Sequence, residues 1–342
     1  MGVLRWIAEG LRSAGRRRKS AAVRRREARS LRRQVEEAVS ATIPKIRLAK
    51  GYETRLAPAV EKALAHCRSL VDRIPGPFDI RADRWGQDPL VTAYFATTGE
   101  VKSALYACTE LRRFFAGGPA TEAYAMLTMT PEEKRTFGTA ASGDLVRRDV
   151  QHISLNFSRH RFTSPNADPK ALQEELRQRA FHFLLACALE NIAALEEKEA
   201  LLNREHEILE VQWQLQQSRE RGLARVLNPA AGPPKTEAGG RILAEIHQQL
   251  DAVRARLDEP SDYLEQVSQV LLYPELFLHL SSQAPRLNQM GIRVKETDPD
   301  PGHPIPYAEI AMGANGRTLA AVVARVFRND VMGVPSGGPP AS

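Results

Sequence analysis

The sequence predicts an α+β chain, predominantly helical. A small antiparallel sheet carries a long inserted antiparallel helical hairpin, a coiled-coil-like arm. Three observations lead there. Apolar residues recur at three- and four-residue spacing from Leu185 to Leu227 and again from Leu243 to Leu257. Between these runs, residues 228–240 hold three prolines and three glycines, a tip that helix is not expected to enter. Outside the runs, five segments read as strands, 122–129, 150–162, 291–296, 306–313 and 318–327, although Leu319, Val322, Val323 and Val326 in the last also fit a helix.

Residues 1–33 read as a basic amphipathic arm. They hold 12 Lys and Arg against two Glu, a net of +10, while the other 309 residues net −3. Val3, Leu4, Ile7 and Leu11 share one helix side, with Trp6 at its edge. The basic residues Arg5, Arg12, Arg16, Arg17, Arg18, Lys19, Arg24, Arg25 and Arg26 stand beside Trp6 as an anionic-surface site. Three destinations suit them: an anionic membrane surface, nucleic-acid phosphates, and the chain's own acidic body. Arg5 and Glu9 break the apolar stretch, which argues against a secretory signal.

Residues 34–165 read as the first part of a body. Helix is expected across 18–73, interrupted at Pro44 and Pro58. Residues 75–90 form a loop or short strand, and Asp88-Pro89 opens the next helix with an N-cap and a proline at its first position. That helical stretch breaks near Gly99 and stops at Gly117-Gly118-Pro119. Thr130-Pro131-Glu132-Glu133 has the form of a capping box and predicts a short helix to Phe137. The strand 150–162 turns Ile153, Leu155 and Phe157 to one face and His152, Ser154, Asn156, Ser158 and His160 to the other, which reads as a solvent-facing surface or as the lining of a cleft.

Residues 166–260 are the arm. Its expected interface comprises Leu195, Leu202, Leu209 and Leu223 on the outgoing helix, and Leu243, Ile246, Leu250, Val253 and Leu257 on the return. A neighbouring line holds Leu201, Ile208 and Leu215, so the apolar face is broad and offset. The outgoing helix is about three times the length of the return at 1.5 Å per residue. Its proximal part therefore needs the N-terminal helices, the helices of 261–284, or a second copy. Residues 261–330 give helices and then strands, and 331–342, rich in Gly and Pro, a disordered tail.

The chemistry is marked by what the sequence omits. Neither G-x-x-x-x-G-K-[ST] nor G-x-G-x-x-G occurs, nor G-x-S-x-G, H-E-x-x-H or any Glu-x-x-His. The three cysteines form no C-x-x-C pair, and no metal or cofactor is implied. Glu199 and His206 share one helix line and suit pairing across to another helix. Asp79, Arg81, Asp83, Arg84 and Trp85 form a candidate partner or ligand loop, unless their alternating charges simply pin it down. The expected function is a non-catalytic interaction or scaffold protein. Its arm binds a protein partner or forms a homodimer, and its N-terminus meets an anionic surface, in the cytoplasm or peripherally at a membrane. The alternatives are a nucleic-acid-binding protein acting through its Arg-rich N-terminus, and an enzyme with an unrecognised site.

Overall fold

The computed structural model describes Arg26, residues 28–142, 145–227, 237–296, Asp298, and residues 300–312 and 317–333. The chain is α+β and predominantly helical, with an antiparallel sheet interrupted by a long helical hairpin. It divides into two compact units, Met1–Ala63 with His182–Tyr273, and Leu64–Phe181 with Pro274–Ser342. Two helices, α2 (Tyr52–Val71) and α6 (Pro169–Leu227), contribute residues to both.

The sheet lies in the second unit. β2 (Glu122–Ser142) and β3 (Leu145–Asn166) form a long hairpin. β4 (Leu278–Gln283), β7 (Tyr307–Met312) and β8 (Arg317–Phe327) complete the order β3-β2-β8-β7-β4, every neighbour antiparallel. β1 (Phe78–Asp79) adds a short parallel pairing to β8. β5 (Arg286–Leu287) and β6 (His303–Pro304) pair separately.

Alternation along β2 sends its side chains to two cores. Ala123, Ala125, Leu127 and Met129 join Val322, Ala324 and Val326. Against them pack α3 (Pro89–Tyr94), α4 (Thr98–Ala107), α5 (Thr109–Ala116) and α9 (Arg328–Met332), through Tyr94, Val101, Leu105, Leu111, Phe115 and Val331. On the other face, Tyr124, Met126 and Val323 meet Val71 of α2 and Leu172 and Leu176 of α6. β8 is buried on both faces, which is why its sequence reads as a run of Ala and Val.

The first unit holds α1 (28–41), the leading part of α2, α6 from His182, α7 (Glu237–Arg254) and α8 (Pro260–Leu272). The proximal α6 seam, Leu184, Leu185, Ala188 and Ile192, is buried. Its cover includes α1, whose Glu37 lies 2.7 Å from His182, and α8, whose Tyr263 stands close enough to Glu196 and Glu199 to feel their charge.

Five local expectations are corrected. Residues 130–137 are strand, because every residue from Thr130 to Phe137 has a cross-strand partner in β3. Residues 291–296 give only two isolated bridges, Ser154 to Ile292 and Leu287 to Arg293. Pro58 lies inside an unbroken α2. α7 begins at Glu237, so Gly239 and Gly240 are helical. Val331 and Met332 belong to α9, while the expected tail from 334 on lies outside the described residues.

The solvent-facing reading of His160 is also corrected. β3 gains one residue on β2 between the pairs Thr128–Arg161 and Thr130–Ser158, and Arg159 there has a φ of +55°. This β-bulge reverses the alternation. Leu155 and Phe157 point inward before it, and Phe162 does so after it. His160 consequently turns in and stacks on Phe95 at 4.2 Å.

Candidate interaction surfaces

The two arms of the hairpin meet in an antiparallel register. Arg254 donates to Glu199 at 3.1 Å and to Asn203 at 2.7 Å, and the His206 and His247 rings stand 5.7 Å apart. Opposed positions therefore sum to about 453 along the pair. Leu202, Ile246, Leu250 and Val253 form the buried seam, with Leu209 packed against it. Leu257 is buried just beyond α7, and Leu195 and Leu243 are half-buried. The Leu223 side chain lies outside the described residues.

A second apolar line runs along α6. Leu201, Ile208, Val211 and Leu215 are 62, 50, 56 and 61% exposed. At about 100° per residue they centre roughly 150° around the helix from the seam that α7 covers. α6 is thus apolar on two nearly opposite sides over one stretch, and among the described residues only one side is covered. Val211 was not singled out from the sequence; its spacing of three and four from Ile208 and Leu215 was the available signal.

In the second unit, the charged loop is tied down by its own ion pairs. Arg81 reaches Asp83 at 2.7 Å and Asp330 at 4.0 Å, and Asp79 lies 3.6 Å from Arg325. Burial raises the Asp330 carboxyl above its ordinary value, and Arg81 opposes that rise. Arg84 is exposed. Trp85 behaves differently: its indole N–H donates to the Phe95 carbonyl at 2.8 Å, and its side chain lines a cavity of about 580 Å³. Leu155, Phe157, Leu287 and Ile305 supply buried apolar lining, and Gln87, Asn156, Gln289 and His303 are among its exposed members. Trp85, in the candidate ligand loop, and Asn156, on the polar strand face, were legible as possible lining; the cavity as a whole was not, because its walls come from four separate segments.

Of the basic N-terminal residues, Arg26 is exposed, whereas Arg5, Trp6, Arg12, Arg16, Arg17, Arg18, Lys19, Arg24 and Arg25 lie outside the described residues. No helix among the described residues is long and apolar enough to cross a membrane. Nor do three His, Cys, Asp or Glu side chains among them gather closely enough to hold a metal ion. Burial pushes the Cys67 thiol up to about 12 and raises that of Cys187, so neither is a thiolate nucleophile near neutrality. Burial lowers the His160 pKa, opposed by the hydrogen bond of its Nε2 to the Tyr94 carbonyl oxygen at 2.6 Å. No family model, curated protein or solved structure matches the chain.

Proposed function

We propose that the chain is a non-catalytic interaction protein with a scaffold role. The uncovered face of α6 pairs with the same face of a second copy, and the basic N-terminal segment attaches the assembly to an anionic surface, in the cytoplasm at the membrane periphery. One observation carries the first part: four large apolar side chains at helical spacing lie exposed on the side of α6 away from α7. Contiguous exposed apolar surface of this kind marks an interaction site.

Packing logic selects the occupant and its direction. A parallel pair would stack Arg204 on Arg204 and Glu197 on Glu197 in the same layers as the apolar residues. An antiparallel pair instead sets Ile208 of each copy against Val211 of the other, two central apolar layers related by a twofold axis. It brings Glu205 toward Gln212 and Glu207 toward Gln214, leaving Lys198 and Arg219 as the like-charged pair at the ends.

Size-exclusion chromatography of the full chain and of an Ile208→Glu, Leu215→Glu variant tests this. The expected result is a dimer that the variant converts to a monomer of unchanged helical circular dichroism. A dimer untouched by the variant would overturn the assignment of the face. For the basic segment, vesicles containing phosphatidylserine should sediment the full chain and not one lacking residues 1–25. Binding to a DNA or RNA duplex without vesicle binding would transfer that role to nucleic acid.

A further inference from the structure

We infer that the cavity beside Trp85 is a binding site for a neutral carbohydrate. Among the described residues lining it there is no Asp, Glu, Lys or Arg, and His303 is the only titratable side chain among them. Apart from His303, these residues offer a phosphate, a carboxylate or an ammonium group no charge of opposite sign. The occupant that fits is uncharged.

The polar groups then narrow the class. The side chains of Gln87, Asn156 and Gln289 make no hydrogen bond within the described chain. Each amide offers both donors and an acceptor. They accompany an apolar lining formed by Phe157, Leu287 and the Trp85 ring. A sugar ring matches both halves: its C–H face suits an aromatic wall, and its hydroxyls, which donate and accept at once, suit amides. A hydrocarbon would use the wall and leave the amides idle.

The cavity is also built before any ligand arrives. Asn288 Oδ1 accepts from the backbone N–H of Met290 and of Ile292, each at 3.0 Å, and Leu155 N–H donates to Gly291 O at 2.9 Å. On the opposite wall, the Thr92 hydroxyl accepts from Gly86 N–H and donates to Asp88 O, both at 2.9 Å. The Trp85 indole is fixed by its bond to Phe95. Pre-ordered walls lower the entropic cost of binding, and the volume of about 580 Å³ falls within the range of small-molecule sites, roughly 300–1,000 Å³.

Ligand-observed NMR and calorimetry on the full chain, with glucose, maltose, cellobiose and lactose as probes, test the assignment. Glucose 6-phosphate, glucuronate and adenosine serve as comparators. At least one neutral sugar should bind at millimolar concentration or below, and more tightly than any comparator. Trp85→Ala should weaken binding about tenfold, and Asn156→Ala or Gln289→Ala about threefold each. The two amide variants sit at exposed positions, so they report even if Trp85→Ala fails to fold. Absence of binding by all four sugars, preference for a comparator, or affinity unchanged in both amide variants would overturn the proposal.

Discussion

A Cβ on Gly76 would lie 2.3 Å from the Val323 carbonyl oxygen, at a φ of +122° that side chains rarely adopt. The oxygen belongs to the central strand β8, whose neighbouring backbone N–H at Val323 is itself bonded to Pro75 at 2.8 Å. Neither side can give way cheaply. Gly76→Ala should therefore destabilise the chain by about 3 kcal/mol or more in urea denaturation. Gly86 also has a positive φ, +84°, but nothing within 4 Å of the added carbon. Gly86→Ala should cost only about 1 kcal/mol. His160 gives a second test at this scale. Burial lowers its pKa below the ordinary 6.5, outweighing the raising effect of the Tyr94 carbonyl. The unfolded chain then takes up the proton before the folded one does, so the associated stability is complete above the unfolded value and is lost as pH falls through the lower folded value. Urea midpoints should decline as pH falls below the ordinary value of 6.5, and His160→Gln should remove that part of the decline.

At the scale of elements, the hairpin seam separates packing from charge. Leu250 is buried at its centre, whereas the Arg254–Glu199 pair sits at its exposed edge. Leu250→Ala should cost about 2–4 kcal/mol, and Arg254→Ala about 0.5 kcal/mol. Hydrogen exchange of the α7 amides reads both. The seam was legible because Ile246, Leu250 and Val253 follow one period without a polar interruption. The capping-box reading of Thr130-Pro131-Glu132-Glu133 failed for the opposite reason. A cap contributes about 1 kcal/mol, less than the ladder that pairs these residues with Ser158, Phe157, Asn156 and Leu155. β4 was missed although Leu278 and Leu280 alternate inward, since the helix signals before it ran on to 284. The inward turn of His160 depends on one extra residue at Arg159, and period-two reasoning cannot place a bulge that only cross-strand register reveals.

At the scale of the whole molecule, two properties of the sequence bear on association. Charge is segregated, +10 in the first 33 residues against −3 in the rest. The apolar periodicity of α6 also exceeds what one return helix can cover: α7 has 18 residues against 59. Helices with two apolar sides belong to assemblies with a helix on each side. Here α7 supplies one side and, on the present account, a second chain the other. The cavity in the other unit stands apart from this claim and can succeed or fail without it. The central claim is tested most directly by light scattering of the full chain across a concentration series at moderate salt. The expected mass is twice that of the 38.0 kDa chain and persists when salt is raised, because apolar contacts are not screened. A mass of one chain throughout the series would contradict it.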